Sequence, residues 1–309
     1  MEEFEQLTEL NRRVFMRCMF SVSVAVAMLG RTSPARAETV PAPDLSRIVA
    51  VGGTVTEILF ALGLGEAIVG VDTSSVYPAT TDPLPRVGYQ RTLAAEGILS
   101  LRPTAVITTE DAGPPPVLQQ LREVGVGVFP VTAKTTLDGA RERIRQLGRL
   151  TGRSDQADEL IRDLDNGLKA SSPDISKTRV VFVYARGAGT LNVSGQETPA
   201  DEMIRLAGGV NAVSTFTGFR PLTAESLVAA APDVLLFTDR GLASIGGVAG
   251  VQQLPGVELT PAGKSGRIIA MDDLLLLGFG PRTAIAVSEL SRRLEGNGSE
   301  PEARNVPRP

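Results

Sequence analysis

The chain of 309 residues has no histidine, and its only cysteine is Cys18. Zinc, copper and non-haem iron centres draw mainly on imidazole and thiolate, so transition-metal chemistry here must use oxygen ligands. The same absences remove a Ser-His-Asp triad and deprive a cysteine nucleophile of its base. A tyrosine phenolate can serve as an axial ligand to haem iron. The chain offers three tyrosines, Tyr77, Tyr89 and Tyr184.

Tyr89 lies in Leu84-Pro85-Arg86-Val87-Gly88-Tyr89-Gln90-Arg91-Thr92-Leu93. That stretch has neither helical nor strand periodicity, which predicts a loop at a lobe edge, where binding residues gather. Arg91, two residues on, can set its permanent charge beside the phenol oxygen. A nearby cation favours the ionised phenolate, and a ferric ion lowers its proton affinity further. By spacing alone the pair also suits a plain surface contact, and both readings stand at this point. Tyr184 reads as strand core, and Tyr77, before Pro78, as loop packing.

Two adjacent carboxylate pairs, Glu110 with Asp111 and Asp272 with Asp273, are the remaining chemistry-bearing candidates. Neighbouring residues diverge in a strand or helix, so neither pair converges on one hydrolytic site. Gly187-Ala188-Gly189 and Gly278-Phe279-Gly280 lack the Lys and Ser or Thr that a phosphate loop requires. They read as turns, with or without a flat ligand against their backbone.

The elements that must position these residues fall into two α/β halves. Arg47–Val51 reads as a strand, Gly52-Gly53 as a turn and Thr54–Leu62 as a helix, the opening of a parallel sheet. Strand-like runs follow at 67–71, 105–109 and 126–130, with a helix over 116–123. From Leu137 to Ala170 the pattern is long, charged and helical, broken at Gly152, with Ser154 placed to cap the second stretch. The second half contains strands over 179–184, 234–238 and 267–271. The predicted divisions are an export signal 1–37, a first α/β lobe 38–152, a linking helix 153–172, a second α/β lobe 173–296 and a disordered tail 297–309.

An internal echo supports the two halves. Ala95-Glu96-Gly97-Ile98-Leu99 leads to Pro103 and a strand ending at Thr109, while Ala224-Glu225-Ser226-Leu227-Val228 leads to Pro232 and a strand ending at Thr238, at one common offset. In each copy a glutamate opens a short helix, where the helix dipole favours a carboxylate. These residues either serve the helix ends or form equivalent carboxylates able to dock on a two-fold symmetric partner.

Hydrophobic residues make up 42% and charged residues 21%, an ordinary globular balance. The net charge of -4 offers no basic surface for a phosphate backbone, which argues against nucleic acid as a partner. Arg12-Arg13, the apolar run Met19–Leu29 and Ala35-Arg36-Ala37 read as a signal peptide cleaved near Ala37. The apolar run is too short to span a bilayer permanently. Asn11 to Arg17 also suits a twin-arginine address, and Sec export remains the alternative. Cys18 precedes the apolar run and is badly placed for lipid attachment, so a soluble periplasmic product is expected.

Several motifs follow in order along the chain: Val87-Gly88-Tyr89-Gln90-Arg91-Thr92-Leu93 with Ala95-Glu96-Gly97-Ile98-Leu99, Ala200-Asp201, Ala207-Gly208-Gly209-Val210-Asn211-Ala212 and Arg220-Pro221-Leu222. Arg240-Gly241-Leu242, Leu254-Pro255-Gly256-Val257, Thr260-Pro261-Ala262-Gly263 and Leu276-Leu277-Gly278-Phe279-Gly280-Pro281-Arg282 continue the series. With them, Arg47 to Leu294 closely resembles the periplasmic haemin-binding proteins of bacterial haem ABC importers.

The resemblance implies a class III periplasmic binding protein, two Rossmann-like α/β lobes joined by a long rigid helix, with no enzymatic activity. It implies ferric haem b as the transported ligand, Tyr89 as the axial iron ligand and Arg91 hydrogen-bonded to the phenolate. Glu96 and Glu225 would dock on arginines of the permease dimer, which works with its ATPase subunits, downstream of an outer-membrane haem receptor. Some relatives add a histidine from the second lobe. This chain cannot, so five-coordinate iron, or a sixth position held by water or another weak ligand, is expected. Arg186 and Arg240, each at the end of a second-lobe strand, are offered as cleft contacts to propionate or phenolate, or else face solvent. A corrinoid or ferric-siderophore carrier on the same scaffold is the alternative.

Overall fold

Short runs of β-branched and aliphatic residues, bounded by glycine or proline, form the strands of two sheets. The computed structural model describes residues 43–171, 177–187 and 189–296; the export segment, Cys18 and the tail 297–309 lie outside the described residues. In the first half, β1 (Ile48–Ala50), β2 (Ile68–Val71), β3 (Ala105–Thr109) and β4 (Gly127–Val131) form a parallel sheet in the order β2-β1-β3-β4. Helices α1 (Gly53–Ala61), α2 (Ala95–Leu99), α3 (Pro115–Glu123) and α4 (Leu137–Thr151) connect and cover these strands. The α/β class read from the sequence is the observed one.

After α5 (Ser154–Ala170), the second sheet is built on β5 (Arg179–Ala185). β6 (Leu191–Ser194) runs antiparallel to β5, and β7 (Val210–Asn211) pairs with β5 in parallel. β8 (Phe219–Pro221) runs antiparallel to β6. β9 (Val234–Thr238) and β10 (Ile268–Met271) extend the parallel part, giving the path β10-β9-β5-β6-β8. Helices α6 (Pro199–Leu206), α7 (Ala224–Ala230), α8 (Asp239–Ser244), α9 (Gly247–Gln252), α10 (Pro261–Ser265), α11 (Asp273–Leu277) and α12 (Thr283–Leu294) complete this half.

Side chains alternate across a strand, and strands covered on both faces are apolar throughout. Ile48 and Ala50 of β1 therefore enter one core, and Val49 and Val51 another. In β5, Val180 and Phe182 face the first of these cores while Val181 and Val183 enter a third. The first core is thus common to both sheets, and it takes Ile144 and Leu147 from α4, Ile161 and Leu164 from α5, and Val287 and Leu290 from α12.

Gly152, at φ 67°, ends α4 in the left-handed conformation that glycine tolerates best. Ser154 departs from its expected role: it is the first residue of α5, the cap position falls on Arg153, and no side chain caps the helix. The reason is the tightness of the junction, where the Arg153 N–H donates back to the Gly148 carbonyl and leaves no further residue to act as a cap.

A turn after α11 fastens the halves together. Thr54 Oγ1 of α1 donates to the Gly278 carbonyl at 2.9 Å. The fully buried Arg143 of α4 donates to the carbonyls of Thr132 and Lys134 in the first half and of Gly278 and Phe279 in the second. Burial pulls its pKa down to about 10, which still leaves the guanidinium charged at neutral pH. A Cβ at Gly278 would meet the Leu274 carbonyl oxygen at 2.4 Å, so this approach requires glycine. Arg282 completes the clasp through an ion pair with the buried Glu57 at 2.9 Å. The Gly278-Phe279-Gly280 segment is therefore a fastening turn between the halves.

Candidate functional site

The first sheet reverses its strand order between β1 and β3, and in open α/β sheets ligands bind beyond the carboxyl ends of strands at such a point. The loop carrying Tyr89 sits there. Its approach is pinned along β2 by the Val71 N–H to the Pro85 carbonyl, the Val87 N–H to the Val71 carbonyl, and the Thr73 N–H to the Gly88 carbonyl. Arg86 adds donations to the carbonyls of Asp72, Ser75 and Thr81. Beyond Tyr89, the Gly113 N–H donates to the Gln90 carbonyl, tying the loop to the end of β3. A Cβ on Gly52 would come within 3.1 Å of Gln90 Oε1, so the turn after β1 also fits closely against this loop.

Tyr89 is half-buried and Arg91 exposed. Arg91 Nη1 donates to the Tyr89 hydroxyl at 3.5 Å, a long contact, while Nη2 pairs with Asp111 at 2.8 Å. The hydrogen bond to Asp111 is the main reason the guanidinium is held still more firmly protonated than usual. Burial is the largest single influence on the Asp111 carboxyl and raises its pKa, but the hydrogen bond and charge of Arg91 together with smaller hydrogen bonds outweigh it and set the value below the ordinary one.

From the second half, Arg186 reaches the same place. Its guanidinium lies 6.0 Å from the Tyr89 ring centre and 5.5 Å from that of Tyr184. The Arg186 backbone is fixed in the β5–β6 hairpin by its N–H to the Thr190 carbonyl. Among the described residues its side chain has no carboxylate partner. Tyr184 packs against the first core, as the strand-core reading expects, but is only half-buried near the end of β5, with its ring 5.9 Å from the exposed Phe219 ring and 5.5 Å from the Arg186 guanidinium.

Arg240 stands apart from this group. It is exposed in the first turn of α8, and its backbone N–H donates to Asp273. It does lie beyond the end of β9, the parallel neighbour of β5, and so shares an edge of the sheet with Arg186. Tyr77 is 41% exposed on a loop, with the Arg282 guanidinium 3.5 Å from its ring centre. Glu96 and Glu225 are both exposed in the first turns of α2 and α7, in equivalent settings before the fully buried strands β3 and β9.

Sequence reading missed Asp111 as the partner of Arg91, having weighed it only as half of a carboxylate pair. Its position just past the end of β3, beside the switch point, was the available signal. It also missed Phe219. Two hollows elsewhere, of about 610 Å³ around Phe60, Glu66 and Leu84 and about 450 Å³ around Thr136, Glu197 and Asp201, hold none of these tyrosines or arginines. The chemistry marks the site better than volume does. Among the described residues no group of three or more acidic, His or Cys side chains is placed to hold a metal ion. None of their helices is long and apolar enough to cross a membrane. The arrangement gathers two phenols and two guanidiniums at one edge, groups suited to an anionic ligand.

Comparisons with known proteins bear on the fold and its family. The structure of "Periplasmic heme-binding protein RhuT from Roseiflexus sp. RS-1 in apo form" is similar at 43% identity and TM-score 0.78, covering 82% of this chain and 98% of that one. The "Uncharacterized ABC transporter substrate-binding lipoprotein YvrC" of Bacillus subtilis (strain 168) is 28% identical over 255 residues, covering 80% of this chain and 79% of its own. A "Vitamin B12-binding protein" of Vibrio parahaemolyticus serotype O3:K6 (strain RIMD 2210633) is 27% identical over 199 residues, 63% of this chain and 71% of its own. Residues 48–275 match the family described as "Periplasmic binding protein". With two α/β halves and a family match spanning most of its length, the chain belongs to the periplasmic binding protein family.

Proposed function

We propose that the protein binds ferric haem in the periplasm and delivers it to an ABC importer, with the Tyr89 oxygen on the iron. The observation that carries this reading is the meeting of Tyr89, Arg91 and Arg186 at the sheet's switch point in a chain that has no histidine. Arg91, in contact with the Tyr89 hydroxyl, places a positive charge beside the oxygen that would meet the iron. Arg186, free of a carboxylate partner among the described residues, is available to a propionate. Arg240, further along the same edge, is a second candidate for propionate contact.

The mechanism is capture and hand-over. Iron coordination is the only bond made, so no catalytic group is required. The core common to both halves and the Arg143 clasp limit their relative motion, which keeps the cleft largely preformed and lowers the ordering cost of binding. The export signal, cleaved near Ala37, supplies the address, and α5 acts as the strut between lobes bounded near residues 152 and 173. Glu96 and Glu225 present one carboxylate from each lobe to the two permease subunits. Their exposure and matched settings support that role.

Similarity to a vitamin B12-binding protein makes a corrinoid the alternative cargo. Corrinoids have no need of the Tyr89 and Arg91 pair. Absorption titrations of the mature protein with haemin and with cobalamin separate the readings. Saturable binding of haemin with cobalamin inert is expected; binding of cobalamin alone would overturn the assignment.

A further inference from the structure

The turn after β3 is laced to the Tyr89 loop in both directions. The Gly113 N–H donates to the Gln90 carbonyl at 2.9 Å, and the Leu93 N–H donates to the Gly113 carbonyl at 2.9 Å. Within the loop the Thr92 N–H closes onto the Tyr89 carbonyl at 2.8 Å, and within the turn the Ala112 N–H donates to the Thr109 carbonyl at 3.1 Å. The backbones that carry Tyr89, Arg91 and Asp111 therefore keep a fixed mutual placement. The two adjacent acids part here. Glu110 turns to the loop after β4, where it accepts from the Ala133 N–H at 3.2 Å, and Asp111 turns to Arg91.

One guanidinium serves two oxygens unequally. Arg91 Nη2 lies 2.8 Å from Asp111, the length of a charge-assisted bond. Its Nη1 lies 3.5 Å from the Tyr89 hydroxyl, beyond the usual limit of about 3.2 Å. Arg91 is long and exposed, and such a side chain keeps its rotamer freedom unless a partner fixes it. Arg186 approaches the same ring from the other half with no carboxylate partner among the described residues. Tyr89 thus meets two guanidiniums, one paired with a carboxylate and one not.

Resting on the haem reading above, we infer that Asp111 is a positioning residue for the iron bond, anchoring Arg91 and holding its guanidinium back from the Tyr89 oxygen. A phenolate gives up donor strength to each hydrogen bond it accepts, so the length of the Arg91 contact governs how strongly the oxygen binds the metal. The carboxylate takes the close donor, which leaves the phenolate loosely held and its bond to iron strong. It also sorts the two arginines. The paired one stays at the phenol oxygen, and the unpaired Arg186 is left for a propionate.

The test is the spectrum of ferric haem bound to wild type, Asp111→Asn, Arg91→Ala and the double variant. Asparagine keeps the size of the side chain and removes the charge that draws Arg91 away, so the iron-bound phenolate becomes the strongest acceptor within reach. The iron–phenolate charge-transfer band of Asp111→Asn should move to higher energy and the iron–oxygen stretch in resonance Raman should fall. Haem should leave this variant about tenfold faster than wild type. Arg91→Ala, which removes the donor, should move the band the other way. Adding Asp111→Asn to Arg91→Ala should then move nothing, because a positioning residue acts only through the group it positions. An unmoved band in Asp111→Asn, or a shift to lower energy, would overturn the inference. Equal shifts with and without Arg91 would overturn it too, since Asp111 would then act directly or through the fold. Failure of wild type to bind haemin, or a band that Tyr89→Phe leaves unchanged, would instead remove the haem reading itself.

Discussion

Arg91 is shared between two oxygens, and the sharing has a pH signature. Its ion pair with Asp111 is short, its contact with Tyr89 long. Because the Asp111 pKa is lowered in the folded protein, the pair's contribution to stability is complete above the unfolded carboxyl value of about 4 and fades as pH falls through the lowered one. The pair is partly exposed, so its worth is under about 1 kcal/mol. Asp111→Asn should lower the urea midpoint slightly at pH 7, and the difference from wild type should close toward pH 3. A difference that stays constant with pH would mean that another contact is responsible.

At this scale the sequence singled out Tyr89 and Arg91 because the absence of histidine left few donors for iron, and the structure puts the two side chains in contact. Asp111 was hidden because its pairing depends on β1 and β3 lying side by side, a long-range fact that a local pattern does not carry. Tyr184 was hidden for a related reason. It shares a face of β5 with Val180 and Phe182, which packs on the first core, and only its place near the strand's end leaves it half-exposed beside Arg186.

Among the elements, α2 and α7 are the legible pair. Each places a glutamate in its first turn ahead of a buried strand, as the repeated motif predicts. If these carboxylates dock the importer, Glu96→Ala with Glu225→Ala should leave haemin affinity unchanged and cut transfer to importer-containing vesicles by at least about tenfold, the loss expected when charged contacts of an interface are truncated. Transfer at the wild-type rate would remove the docking role. The main strands were legible to within one residue because β-branched runs between glycine and proline mark buried parallel strands. β6 and β8 were not. Leu191–Ser194 and Phe219–Pro221 are short and interrupted by polar residues, the second exposed throughout, and antiparallel pairing toward a sheet edge gives little hydrophobic signal.

For the whole molecule, the proposed capture and hand-over rest on rigidity between the halves. Arg143 gathers carbonyls from both halves around one buried charge, and the common core continues behind it. Nothing local in the sequence distinguishes Arg143 from the other arginines of an amphipathic helix, since its partners come from residues 132–134 and 278–279. Arg143→Ala leaves four carbonyls without this donor and should cost about 3 kcal/mol in urea unfolding. A cost below about 1 kcal/mol would show that the clasp does not hold the halves. The account as a whole stands on the bond between the Tyr89 oxygen and ferric haem iron. The visible spectrum of the haemin complex, recorded for wild type and Tyr89→Phe, tests that bond directly. An iron–phenolate charge-transfer band that Tyr89→Phe weakens or shifts, together with weaker haemin binding, is predicted; an unchanged spectrum and affinity in the variant would contradict it.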